Sequence, residues 1–179
     1  MFYNRSGGGI TLSGGEPLAQ PEFALALLRE AKRRRLNTSM ETCGHAPWDV
    51  LRQVASLLDS VMYDIKSLDN GKHKEFTGVS NTRILENFQR LVEEFPSLTV
   101  HARTPVIPGF NDTEEDIQAI AGLVSGRANV TYEVLPYHRL GTQKYLFLGR
   151  AVPMGECTLP PERFQVLENV ARDALVTQS

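Results

Sequence analysis

Five short strand-like stretches alternate with runs of helical spacing, and this order limits the folds open to the chain more than any other feature. The expected strands are 9–13, 37–41, 60–64, 98–103 and 130–135. The first helical run puts Phe23, Leu27, Leu28 and Ala31 on one face; the second covers 48–58, with Pro47 near its first turn. The third carries Ile84, Leu85, Phe88, Leu91, Val92 and Phe95. The fourth carries Ile117, Ile120, Ala121 and Val124, after Thr113 and Asp116 placed as a capping pair. A last helix starts at Pro160-Pro161 and carries Phe164, Leu167, Val170, Ala171 and Ala174. The order predicts an α/β chain with a parallel sheet and helical crossovers. With no Gly/Ser linker and no repeat, residues 1–179 read as one domain.

Charge excludes some partners. The net charge is −2, which gives no electrostatic case for nucleic acid or a membrane surface. The basic run Lys32-Arg33-Arg34-Arg35 falls at an expected helix C-terminus, where the helix dipole favours it. No apolar run approaches the roughly 20 residues of a membrane span. Met1 to Arg5 leads into glycines and not into an apolar h-region, so the default location is the cytoplasm. The two cysteines, Cys43 and Cys157, make neither a disulfide framework nor a cluster site.

Polar residues gather where the strands end: Glu16, then Glu41-Thr42, then Asp64 and Lys66, then Arg103, then Tyr137-His138. Function collects at this end of the strands in both barrels and open α/β sheets, although strand-end loops are polar in any protein. Gly14-Gly15-Glu16 ends the first strand. Glycine there allows positive φ and close approach of a ligand to the backbone, and freed carbonyls with a glutamate suit an ammonium. The pattern is neither GxxxxGK[ST] nor GxGxxG. Asp64 and Lys66 are two apart and point the same way, so the lysine can meet a carboxylate while the aspartate keeps it charged. With Glu41, Asp64 could also hold a hard cation; an internal ion pair reads equally well. Arg103 could engage a carboxylate or hydroxyls, or a structural partner. His138 could touch a ligand, but a lone histidine is more often an ordinary loop residue. His45, His73 and His101 lack metal-ligand spacing, and Cys43 reads as a small buried filler. The residues together describe a ligand bearing both an ammonium and a carboxylate, such as a free amino-acid moiety.

The stretches "SGGGITLSGGEPLAQPEF", "METCGHAPW", "VMYDIKSLD", "FTGVSNTRILENFQRL", "RTPVIPGFND" and "LPYHRLGTQKYLFLG" resemble, in order and spacing, the glycyl radical enzyme activating enzymes of the radical S-adenosylmethionine superfamily. Pyruvate formate-lyase activating enzyme is the best-known member. The resemblance implies a partial (β/α) barrel of the radical SAM type, with about five parallel strands, outer helices and the first strand missing. It implies that Gly14, Gly15 and Glu16 meet the amino group of S-adenosylmethionine and that Asp64 and Lys66 lie by its carboxylate. Arg103 and His138 match further cofactor contacts. Glu41, Thr42, Met62 and Asp64 match a monovalent-cation site. The implied reaction reduces S-adenosylmethionine with a [4Fe–4S] cluster and makes a radical that takes hydrogen from a glycine of a partner enzyme. The implied electron donor is a protein such as flavodoxin.

These residues lack the Cys-x3-Cys-x2-Cys that holds the family's cluster. The expectation is therefore a C-terminal portion of an activase, inactive alone, with the edge of strand 9–13 left unpaired. A cluster-free module that binds S-adenosylmethionine or docks a partner is the alternative, and an unrelated barrel fragment binding an amino-acid-like metabolite is a third.

Overall fold

A computed structural model describes residues 8–138, 142–151 and 154–176. Five strands form one parallel sheet in chain order: β1 (Gly9–Leu12), β2 (Asn37–Thr42), β3 (Ser60–Asp64), β4 (Thr99–Val106) and β5 (Val130–Pro136). The helices are α1 (Pro21–Arg33), α2 (Trp48–Ala55), α3 (Asn70–Thr77), α4 (Thr82–Glu94), α5 (Glu114–Val124), α6 (Thr142–Phe147) and α7 (Pro161–Val176), with a 3-10 turn at Pro17–Ala19. Right-handed crossovers between strands laid down in one direction put the crossover helices on one face. The architecture is the expected partial barrel.

The outer face is apolar. Met40, Val61, Tyr63, Val100 and Ala102 are fully buried there against Leu28 of α1, Leu51 and Val54 of α2, Phe88 and Leu91 of α4 and Ile120 of α5. A smaller cluster joins Val106, Val134, Ile117, Leu167 and Ala171, which ties α7 to α5 and β5. Each fully buried side chain of this size contributes roughly 1.5–3 kcal/mol. The inner face is polar: the register aligns Glu41, Met62, His101 and Thr131 in one row and Asp64, Arg103 and Glu133 in the next, all partly or fully exposed.

Local chemistry explains the ends of the elements. Thr113 caps α5 by accepting from the Asp116 N–H, and Glu114, Glu115 and Asp116 face the positive end of its dipole. Asp69 caps α3 through the Lys72 N–H, and Gly78 ends it with φ of 81°. The basic run does close α1: Arg33 and Arg34 pair with Glu30, and Lys32 reaches Asp59 at 2.6 Å.

Three expectations need correction. Phe23 and Leu27 do not join the buried face of α1; they are 62% and 37% exposed, because Ala24, Leu28 and Ala31 turn toward the sheet instead. The strand expected to stop at Arg103 runs on through Thr104-Pro105 to Val106, paired with β5. Helices α3 and α6 were not expected; α3 is polar almost throughout and buries only His73.

Candidate functional site

Four charged groups meet at the C-terminal ends of β2, β3 and β4. Arg103 from β4 reaches Asp64 of β3 through Nε at 3.1 Å and Nη2 at 2.9 Å, and lies 3.5 Å from Glu41 of β2. Lys66, just past β3, sits 3.7 Å from the other oxygen of Asp64. The Ser13 hydroxyl, just past β1, donates to Glu41 at 2.8 Å. Two carboxylates thus face two cations. The acidic end lies at Glu41 beside the Gly14-Gly15 turn, and the loosely held Lys66 forms the basic end. A zwitterion with an ammonium toward β1 and a carboxylate toward Lys66 matches that polarity. Gly14 has φ of 117°, which only glycine adopts readily.

Glu16 turns away from this face. It accepts from the Leu18 N–H at 3.0 Å, the Thr42 hydroxyl at 2.7 Å, and the Cys43 N–H and thiol at 3.0 and 3.2 Å. Burial pushes the Cys43 thiol up, and the Glu16 carboxylate adds to this, so the thiol stays protonated and donates. The side chain of Thr42 points to the buried outer face, while Arg103 supplies the positive charge between Glu41 and Asp64. Among the described residues, no group of three or more His, Cys, Asp or Glu could hold a metal ion. A [4Fe–4S] cluster needs several thiolates, and Cys43 and Cys157 do not supply them, so the donor set of these residues does not fit it. His138 is exposed beyond β5, and among the described residues it has no hydrogen bond or ion pair to Glu41, Asp64, Lys66 or Arg103.

Buried amides and hydroxyls hold the loops from behind. Asn111 donates to the Lys66 carbonyl at 2.7 Å and the Pro105 carbonyl at 3.0 Å, and accepts from the Ile107 N–H. The Thr104 hydroxyl donates to the Ile65 carbonyl, and Asn87 donates to the carbonyls of Gly44 and Ala46. Such support keeps a site within the tolerance that recognition needs.

A family model for the radical SAM superfamily matches residues 2–123. The chain belongs to the radical SAM superfamily. It is 61% identical over 95% of its length to an isethionate sulfite-lyase activating enzyme of Nitratidesulfovibrio vulgaris, covering 55% of that protein. It is 59% identical over 84% of its length to a (2S)-3-sulfopropanediol sulfolyase activating enzyme of Bilophila wadsworthia, covering 50% of it. The crystal structure of a domain of pyruvate-formate lyase-activating enzyme from Bacteroides vulgatus is similar at a TM-score of 0.74 and 26% identity, over 93% of this chain and 94% of that one. The radical SAM chain spans about half the length of the curated relatives it matches. No helix among its described residues is long and apolar enough to cross a membrane.

Of the residues proposed from sequence, the fold gathers Glu41, Asp64, Lys66 and Arg103 in one place. Ser13 and the supporting Asn111 were not singled out, and His101, set aside for want of metal-ligand spacing, meets Thr131 on the inner face at 2.8 Å. A signal was present. Strand 99–106 alternates Thr99, His101 and Arg103 with Val100, Ala102 and Thr104, whereas a parallel strand covered on both faces reads as nearly continuous apolar residues.

Proposed function

We propose that this chain is the S-adenosylmethionine-binding part of a glycyl radical enzyme activating enzyme and forms a single partial radical SAM domain. The alternation of charge from Glu41 through Arg103 and Asp64 to Lys66 carries the reading, because it complements an α-amino acid end to end. In this reading the Gly14-Gly15-Glu16 turn takes the amino group and Lys66, held by Asp64, takes the carboxylate. Arg103 orients Asp64 and Glu41 beneath it, and His138 lies toward the adenosine end. A monovalent cation at Glu41, Thr42, Met62 and Asp64 is the finer form of the same site; Glu41 and Asp64 would provide its anionic oxygens. When bound, S-adenosylmethionine supplies the radical chemistry directed at a partner's glycine. The cluster thiolates come from polypeptide other than these 179 residues. The electron donor is a flavodoxin-like protein, and the setting is the cytoplasm.

Identities of 61% and 59% to activating enzymes for a sulfite-lyase and a sulfolyase, against 39% for a choline trimethylamine-lyase activating enzyme, favour a partner that breaks carbon–sulfur bonds. Titration calorimetry with S-adenosylmethionine tests the site. Lys66→Ala should weaken binding about tenfold or more, as expected for a lost charged contact. Equal affinity in both proteins would refute the assignment.

A further inference from the structure

Strand β5 ends the sheet: among the described residues its one strand neighbour is β4. In a parallel pair, alternate residues of a strand bond to each side. The Val100 N–H donates to the Asn129 carbonyl, and in that phase Thr131 and Glu133 bond to β4 while the backbone groups of Tyr132 and Val134 face the other side. An edge of this kind is a template for another extended chain. Helix α7 packs on β5 through Leu167 and Ala171 against Val134. It leaves a groove of about 390 Å³ beside Tyr132, Glu133 and Val134, lined on the helix side by Glu168, Arg172 and Leu175.

The groove is acidic. Glu133 is exposed and has no hydrogen bond or ion pair among the described residues, although its register partner is Arg103. All three nitrogens of that guanidinium turn to β3 and β2 instead, Nε and Nη2 to Asp64 and Nη1 to Glu41. Glu168 accepts from the neutral amide of Gln165, and Arg172, the one cation among the described residues that line the groove, donates to Asn169. Two carboxylates thus face one cation. A segment that covers them must bring positive charge, because burying a carboxylate without a partner is costly. Glycine has no side chain, so a protein that selects one glycine must read the residues around it. The free side of β5 leads to the strand tops, where Arg103 and Asp64 lie about 5 and 10 Å away across the sheet.

We infer that the free edge of β5 and its acidic groove hold an extended basic segment of the partner enzyme, paired to the backbone of Tyr132 and Val134, with a lysine or arginine side chain at Glu133 and Glu168. This rests on the partner proposed above, the protein that carries the target glycine. Backbone hydrogen bonds supply the affinity of such strand addition, and the two carboxylates supply the selectivity.

The test uses the 15N-labelled chain and a capped hexapeptide of alternating threonine and lysine that ends in glycine. One twin has glutamate for lysine. Another keeps the lysines but is N-methylated at alternate residues, so it cannot pair with an edge. The lysine peptide should shift the Tyr132 and Val134 amides and bind about tenfold tighter than the glutamate twin, and the N-methylated twin should fail. Glu133→Gln should weaken the lysine peptide about threefold, as expected for one exposed charge pair, and Glu133→Gln with Glu168→Gln should erase the preference for lysine. Both carboxylates are exposed, so these variants should keep the wild-type Tm and bind S-adenosylmethionine within about twofold of wild type. Equal binding of the lysine and glutamate peptides overturns the inference, as does a lysine preference that survives the double variant. An N-methylated twin that binds as well shows that the edge is not used. Amide shifts at Tyr132 and Val134 that grow with protein concentration, without peptide, assign the edge to a second copy of this chain and also overturn it. A chain that binds S-adenosylmethionine but not the lysine peptide loses this inference alone. A chain that binds the peptide but not S-adenosylmethionine overturns the parent reading, and with it the assignment of the segment to that partner.

Discussion

Two glycines at neighbouring strand ends are small for opposite reasons. Gly44 has φ of 69°, and a Cβ on it would come within 1.8 Å of the Tyr63 hydroxyl, which itself donates to the Ile84 carbonyl at 2.7 Å. Gly44→Ala should therefore destabilise the protein by roughly 3 kcal/mol in urea unfolding, through clash and backbone strain together. Gly15 meets no such obstacle. Gly15→Ala should leave stability within about 0.5 kcal/mol of wild type, because it also restricts the unfolded chain. It should nevertheless weaken S-adenosylmethionine binding, measured by titration calorimetry, because the methyl occupies the space above the turn. Arg103 belongs to this scale too. Arg103→Ala leaves Glu41 and Asp64 without the guanidinium between them, and should cost about tenfold or more in ligand affinity by calorimetry. At these positions the sequence was informative about identity and silent about direction. Glycine before glutamate marks a turn, but only the fold shows that Glu16 faces Thr42 and Cys43 and not the inner face.

Among the elements, the clear periodicities became buried helix faces. Ile84, Phe88, Leu91 and Val92 of α4 lie against the sheet, as their spacing requires. The short polar helix α3 was not legible, because its caps at Asp69 and Gly78, and not an apolar stripe, define it. The capping pair of α5 was legible, and Thr113→Ala should cost about 1 kcal/mol in thermal unfolding. Asp59 joins elements that the sequence does not connect: it accepts from Lys32 of α1 and from the N–H and hydroxyl of Thr38 in β2. Burial pushes its carboxyl up, but the Lys32 ammonium and the Thr38 donors outweigh this and hold it below its ordinary value. A depressed carboxyl stabilises the fold above the unfolded carboxylate's pKa, near 4, and that contribution is lost as pH falls through the lower folded value. Asp59→Asn should thus be less stable than wild type at pH 7, by about 1 kcal/mol or less since the side chain is 40% exposed, and the gap should close in strong acid. Urea unfolding of both proteins at pH 7 and pH 2 checks this.

At the scale of the whole molecule, stability should grade across the sheet. Among the described residues, strands β3 and β4 each have two neighbours and an apolar outer face, whereas β1 has one neighbour and a partly exposed Leu12. Hydrogen exchange should therefore be slowest in β3 and β4 and fastest in β1. Beside β1, a groove of about 440 Å³ runs between Thr11, Ser13 and Glu16 and the exposed Phe23 and Leu27. The order of elements was determined by local sequence alone, since helical and strand periods are properties of neighbouring residues. So was the identity of the charged groups at the strand ends, on which the proposal of a zwitterionic ligand rests. Tertiary structure decided the rest. Parallel pairing set Glu41, Arg103 and Asp64 side by side, because register is a relation between segments far apart in the chain. Handed crossovers gathered the helices behind the sheet and left one polar face, so alternation that looked like ordinary strand patterning became a candidate site. The partners of Glu16 were decided the same way: a hydrogen bond spanning 26 residues has no trace in local sequence, and it directs that carboxylate into the frame of the site.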